Sequence, residues 1–373
     1  MSKLTKYKFS DLYEMSSGIS SSKQQAGHGS PFISFSTVFN NYFLPEELPD
    51  LMDTSLKEQE IFSVKKDDVF ITRTSETVDA LAMSCVAVKD YPKATFSGFV
   101  KRLRPKTTGI VYSKYIAFFL RSKYFRKVLD CNTIMTLRAS FNEDMFSFLY
   151  LYLPDYEEQV RIGDLLYKME MKIRTNNKIN DNLEQQIQLI FDYLFPDVCA
   201  GNKHMGDFII PKRGKSLLSK NAVHGNVPVI AGGLEPSIYH NVANTIAPVV
   251  TISSSGANAG FVNIWGIPVW SSDSSYIDSE MSQYVYFWYA YLKRHQNNIY
   301  NIQTGSAQPH IYPSHISSLP ITDLDYKKIE KYTEIVNPIF STITKNHVEN
   351  QHLQSLRDWL LPMLMNGQAT ISD

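Results

Sequence analysis

Residues 153–194, LPDYEEQVRIGDLLYKMEMKIRTNNKINDNLEQQIQLIFDYL, decide how this chain must be built. Ile162, Leu166, Met169, Ile173, Asn176, Asn180, Leu183, Ile187, Ile190 and Leu194 follow one another by alternating steps of four and three. That spacing keeps one helix face turned to a partner for turn after turn, and it is the seam of a coiled coil. About 39 residues at ~1.5 Å each make a rod near 58 Å, much longer than a helix that merely caps a domain. Pro154 and Pro196 bracket it, as residues that start and stop a helix do.

The stretch recurs 170 positions later without a gap. Asp155-Tyr156 falls on Asp325-Tyr326, Ile173 on Ile343, Asn176 on Asn346, Asn180 on Asn350, Leu183 on Leu353 and Leu194 on Leu364. The second copy keeps the seam steps from Tyr332 to Leu364, with only Tyr332 and Arg357 unusual at such positions. Two long helices in one chain can pair with each other. A parallel pair would put the segments preceding them at one end, whereas antiparallel pairing separates those segments. With partners whose numbers sum to 526, every seam step finds a match, and Asn176 with Asn350 and Asn180 with Asn346 fall at the centre. A one-heptad slip would set Asn against Leu or Ile, at about 1–3 kcal/mol for each unpaired amide, so these four residues specify register.

Before each rod lies a segment of another character. Val69–Arg73 and Pro248–Ser253 read as buried strands running into polar turns, and Tyr115–Val128 and Gln283–His295 as aromatic-rich helices. The two segments open alike, with Asp11-Leu12 and Gly18 matching Asp207-Phe208 and Gly214, and they close alike at Leu149–Leu153 and Leu319–Thr322. The expected organisation is a mixed α/β chain. Residues 1–152 and 198–323 form two α/β domains, separated by spacer helices in 153–197 and 324–373 that make an antiparallel coiled coil.

Composition excludes several classes. No run approaches the roughly 18 apolar residues of a membrane helix and the start lacks a signal-peptide stretch, so a cytoplasmic protein is expected. Cys85, Cys131 and Cys199 are odd in number and far apart, which fits reduced thiols. The histidines have no metal-ligand company, no methylation or phosphate-loop motif is present, and Ile209 stands where such a loop before Gly214-Lys215-Ser216 would need its first glycine. Neither a catalytic site nor a metal is expected. Lone nuclease action would need clustered carboxylates, and none is found; a coiled-coil adaptor or architectural protein remains the alternative.

Net charge is zero, yet residues 86–138 hold twelve Lys/Arg against Asp90 and Asp130, a basic stretch that suits nucleic acid. The candidate DNA contacts in the first segment are Lys23, Arg73, Thr74, Lys101, Arg102, Arg104 and Arg138. Those in the second are Lys215, Ser253, Ser254, Ser255, Asn258, Ser306, Gln308 and His310. The latter come from the Ser/Gly tract 251–260 and the loop 304–310, where backbone freedom joins hydroxyl, amide and imidazole groups able to approach phosphates or base edges.

Leu153–Gln159 with Arg161-Ile162, then Asn176–Leu183 and Phe191–Phe195, resembles the central conserved spacer helix of the specificity subunits of type I restriction-modification systems. Ser254–Gly260 with Gly305–Gln308 is similar to framework loops of that family's recognition domains. The resemblance implies a non-catalytic subunit that reads a bipartite site on double-stranded DNA. It also implies two methyltransferase (modification) subunits on the helices and restriction (motor-nuclease) subunits that join for cleavage. S-adenosylmethionine, ATP and magnesium would belong to those partners.

Overall fold

The structure, a computed structural model, describes residues 4–20, 22–75, 81–132, 139–305 and 308–371. The chain divides into two compact units, residues 1–173 with 352–373 and residues 174–351. The class is mixed α/β, and both long helices are present, Tyr156–Leu194 with 39 residues and Tyr326–Met365 with 40. Each starts at the tyrosine of the repeated Asp-Tyr pair because the aspartate is its cap. Asp155 Oδ1 accepts from the Glu158 amide at 2.8 Å and Asp325 Oδ1 from the Lys328 amide at 3.1 Å. Those amides have no acceptor inside the helix. The second helix runs on through Pro338, a residue that commonly costs ~3 kcal/mol in a helix interior. Buried Val336, Phe340 and Ile343 hold the helix on either side of it.

The helices pair antiparallel within each unit. In the second unit Asn176 Nδ2 donates to Asn350 Oδ1 at 2.9 Å and Asn346 Nδ2 to Asn180 Oδ1 at 2.8 Å, the register expected from the seam. The bonds are single rather than reciprocal. Asn350 Nδ2 turns to Asn177 Oδ1 at 2.8 Å, while Asn176 Nδ2 also donates to Glu349 at 2.8 Å. Asn176 Oδ1 and Asn180 Nδ2 are buried without a hydrogen-bond partner among the described residues. The two unusual seam residues have separate explanations. Tyr332 is fully buried with its ring edge-on to Phe191 and Phe195, at 5.6 and 5.8 Å, so it fills a wide hole among aromatics. Arg357, in the first unit, leaves the seam for Glu170 at 3.0 Å and lies over the Tyr42 ring at 5.3 Å. Ile162 and Leu166 share the core of that unit with Leu364.

The α/β parts are built from strands in a repeating order. The first unit holds β1 (Thr5–Lys8), β2 (Tyr13–Ser17), β3 (Ala26–Ile33), β4 (Asp50–Met52), β5 (Val69–Thr72) and β6 (Thr74–Ser75). It continues with β7 (Ser84–Val86), β8 (Thr95–Phe96), β9 (Val100–Pro105), β10 (Ala139–Ser140) and β11 (Tyr150–Leu153). Its main sheet is antiparallel in the order β2-β9-β5-β7. A second sheet sets β3 between antiparallel β4 and parallel β8, and β1 pairs with β11.

The second unit holds β12 (Lys203–His204), β13 (Lys212–Arg213), β14 (Val227–Ile230), β15 (Ile238–His240) and β16 (Val249–Ser253). There follow β17 (Val262–Trp265), β18 (Trp270–Ser271), β19 (Ser274–Asp278) and β20 (Pro320–Ile321). Its main sheet is β13-β19-β16-β17, its second sets β14 between antiparallel β15 and parallel β18, and β12 pairs with β20. These three sheets match strand for strand, and the short β6–β10 pair of the first unit corresponds to isolated bridges of His310 with Ser255 and Thr304 in the second.

The apolar strands expected at residues 69–73 and 248–253 are β5 and β16, central and buried along their length. The helix expected over Tyr115–Val128 is two helices, Ser113–Phe119 and Lys123–Asn132. Ser122 divides them: its hydroxyl donates to the Phe119 carbonyl at 2.6 Å and accepts from the Phe125 amide at 3.3 Å. The matching glycines have a common cause. A Cβ on Gly18 would stand 2.3 Å from the Phe96 carbonyl oxygen, and one on Gly214 would stand 2.5 Å from that of Ser271. Both glycines let the chain after the first sheet strand pass hard against the end of β8 or β18.

The pairing can be checked by cross-linking in a background without the native cysteines. Cysteines at 180 and 346 should form a disulfide on mild oxidation, while cysteines at 176 and 346, partners in a parallel register, should stay reduced. The opposite gel pattern would refute the antiparallel seam.

Candidate nucleic-acid interface

In each unit three segments meet just beyond the central strand. In the first, the Arg73 amide donates to the Phe99 carbonyl at 2.8 Å, the Phe141 amide donates to the Arg73 carbonyl at 2.8 Å, and β6 pairs with β10. In the second, the Ser254 amide donates to the Asp273 carbonyl at 3.1 Å and the Ile311 amide to the Ser254 carbonyl at 2.9 Å, with Ser255 bridged to His310. The same backbone joint therefore brings a strand end, a tight turn and a late loop together twice. Backbone bonds fix the segments, which frees their side chains to differ.

The expected contacts distribute unevenly around these joints. Arg73 is exposed, with Nη1 3.5 Å from the Gly98 carbonyl, and Thr74 follows it on β6. Lys23 is exposed on a short helical turn, Lys23–Gln25, and takes no part in the backbone bonds given for the joint. Arg138 and Ser306 lie outside the described residues. In the second unit Ser255, His310 and the exposed Gln308 come together at the joint. Exposed Lys215 is tied beside it, its amide donating to the Ser271 carbonyl at 2.9 Å. Ser253 and Ser254 face inward: Ser253 Oγ donates to the Ala231 and Gly233 carbonyls at 3.3 Å, and Ser254 is 1% exposed. Asn258 sits in the hairpin between β16 and β17, its carbonyl accepting from the Phe261 amide at 3.0 Å.

Much of the basic stretch also turns inward. Arg104 grips the fully buried Asp68 with two bonds of 2.7 and 2.6 Å and donates to the Ser63 carbonyl at 3.0 Å. Arg102 Nη1 donates to the same carbonyl at 2.6 Å, and burial, with Arg104 beside it, pushes its pKa below arginine's ordinary range. The hydrogen bonds that Arg104 donates to Asp68 hold its own pKa above that range. Lys101 is buried against Ser17, at 2.9 Å, and Glu143, at 3.5 Å. Arg121 spreads its donors over the Val38, Phe39 and Asn41 carbonyls at 2.7–2.9 Å, capping the open end of the helix Phe35–Asn40. Summed charge counts all of these alike, whereas a guanidinium already spent on carbonyls offers little to a phosphate.

Two residues at the joints carry no motif and escape a reading by sequence. Asp273 accepts from Arg213 at 2.6 Å and from the Ser255 hydroxyl, making a fixed acid at the turn. Its only local signal is the polar run Ser271–Ser275. Phe99 holds the corresponding place in the first unit and is 65% exposed. Among the described residues no group of three or more His, Cys, Asp or Glu side chains could hold a metal ion. No described helix is long and apolar enough to cross a membrane.

Breaking the inner pair should cost stability. Arg104→Gln leaves the buried Asp68 carboxylate without its ion-pair partner, at about 3 kcal/mol, while Lys215→Ala should stay within about 0.5 kcal/mol. Equal thermal melting of both variants would show that Arg104 does not hold the fold.

Residues 1–185 match the type I restriction modification DNA specificity domain. A curated relative, the specificity subunit of the type I restriction enzyme HindI from Haemophilus influenzae, is 27% identical over 224 residues. That alignment covers 57% of this chain and 47% of the relative, so the chain spans about half the length of the curated relative it matches. The crystal structure of the type I restriction-modification S subunit from M. genitalium superposes with a TM-score of 0.62 at 16% identity, covering 97% of this chain and 96% of that one, which shows a shared fold. Residues 1–185 thus match a type I restriction modification DNA specificity domain, and the fold of the chain over nearly its whole length is the one seen in the M. genitalium S subunit.

Proposed function

We propose that this chain reads a bipartite DNA target for a type I restriction-modification complex, one half by each α/β unit. The observation that carries the reading is the twice-built joint. One topology and one set of backbone bonds present Arg73, Thr74 and Phe99 in the first unit and Ser255, Asp273 and His310 in the second. A scaffold repeated with different side chains at the same place suits two half-sites of different sequence, because bases are told apart by side-chain chemistry in the grooves.

In this reading the segments 1–152 and 198–323 are the two readers, and the long helices space them and hold two methyltransferase subunits. Motor-nuclease subunits join that assembly in the cytoplasm. The chain supplies recognition and no chemistry; S-adenosylmethionine, ATP and magnesium are bound by its partners. Residues able to neutralise phosphate are the exposed Arg73 and Lys215 rather than the enclosed Arg102 and Arg104.

The test is selection from a random duplex library by the chain co-purified with its methyltransferase partner. Recovery of two fixed half-sites is expected, and exchange of residues 1–152 for those of a relative should alter one half only. Change in both halves would refute separate readers, and recovery of no sequence would favour an adaptor. The salt dependence of binding should flatten by about one unit for each of Arg73→Ala and Lys215→Ala. An unaltered slope in both would remove them from the phosphate contacts.

A further inference from the structure

We propose that Phe99 is a specificity-determining residue of the first unit, its ring meeting the methyl group of a thymine in the major groove. The inference rests on the DNA-reading function above and goes beyond it by naming a residue and the base chemistry it detects.

The turn that carries Phe99 is held on every side. The Val100 amide donates to the Ser97 carbonyl at 2.9 Å, the Phe99 amide to Ser97 Oγ at 3.2 Å, and the Gly98 amide to the Ile19 carbonyl at 2.7 Å. The Phe99 carbonyl in turn accepts from the Arg73 amide at 2.8 Å. A ring on so fixed a tip is presented without loss of loop entropy on binding, as a reading side chain should be. Yet it is 65% exposed, while Val100 beside it and Phe96 before it are fully buried. Burial in this unit therefore does not explain the ring. Arg73, exposed and bonded to the same turn, sets a positive charge next to it, which suits an anionic duplex and not an apolar protein partner.

The other unit supports the placement from the opposite chemistry. Its equivalent turn, bonded to the equivalent strand end, carries Asp273, steadied by Arg213 at 2.6 Å. A carboxylate there can accept from the amino group of a cytosine, and a phenyl ring can only meet an apolar edge, of which the major groove offers one, the thymine methyl. One position in the fold would thus read different letters in the two halves.

The experiment uses the chain with its methyltransferase partner, as wild type, Phe99→Ala and Asp273→Asn, each confirmed folded by its melting temperature. After library selection, wild type should require a T·A pair at a position in one half that Phe99→Ala no longer distinguishes, a loss of about tenfold in preference. Asp273→Asn should change the other half. Replacing that thymine by deoxyuridine, which lacks only the methyl, should weaken wild type about tenfold and leave Phe99→Ala unaffected. If wild type selects a bipartite site and Phe99→Ala selects the same one, or if deoxyuridine acts equally on both proteins, Phe99 does not read thymine. If wild type selects nothing, the DNA-reading function itself falls.

Discussion

Amides buried between two helices must bond to each other or go unsatisfied, and that requirement fixes how the long helices of this chain meet. Asn176 with Asn350 and Asn180 with Asn346 can pair only in one antiparallel register. Any slip puts an amide against an aliphatic side chain, and each costs about 1–3 kcal/mol. The aliphatic partners, Leu183 with Ile343 or Ile187 with Ile339, would tolerate other registers, since apolar contact has no direction. Polar groups here serve specificity more than strength. The recruitment of Asn177 and Glu349 into the cluster, with two amide atoms left over, suits that role.

A second constraint governs the α/β units: short elements with open ends must have their carbonyls satisfied. Arginine meets it with five donors on one planar group. Arg121 closes the end of a helix, while Arg102 and Arg104 pin the Ser63–Asp68 turn to the sheet. This use of cations withdraws Arg102, Arg104 and Arg121 from the surface charge of the basic stretch, while Lys89, Lys93, Lys106, Lys123 and Lys127 stay exposed.

The repeat unites these observations with function. Identical strand order, matched glycines and matched joint bonds show that the frame is the same in both units, although the sequences agree only near their ends. Frame positions are constrained by backbone geometry. The joint is closed by backbone bonds, which do not depend on side-chain identity, so one frame can present a ring in one copy and a fixed carboxylate in the other.

Sequence by itself determined the long-period features. The steps of four and three, the offset of 170 and the four asparagines stated the helices, their lengths and their register, because a coiled-coil seam is written in local spacing. It also marked the central strands as apolar runs, and Gly18 with Gly214 as counterparts. Only the tertiary structure decided which polar residues are spent inside. Whether Arg104 faces a phosphate or Asp68, thirty-six residues away, depends on strand pairing that no local pattern encodes. The same holds for Phe99 and Asp273: their equivalence appears only once the sheets are paired, since insertions shift the two copies out of alignment. Register between helices is a one-dimensional property, and the composition of a joint built from three distant segments is not.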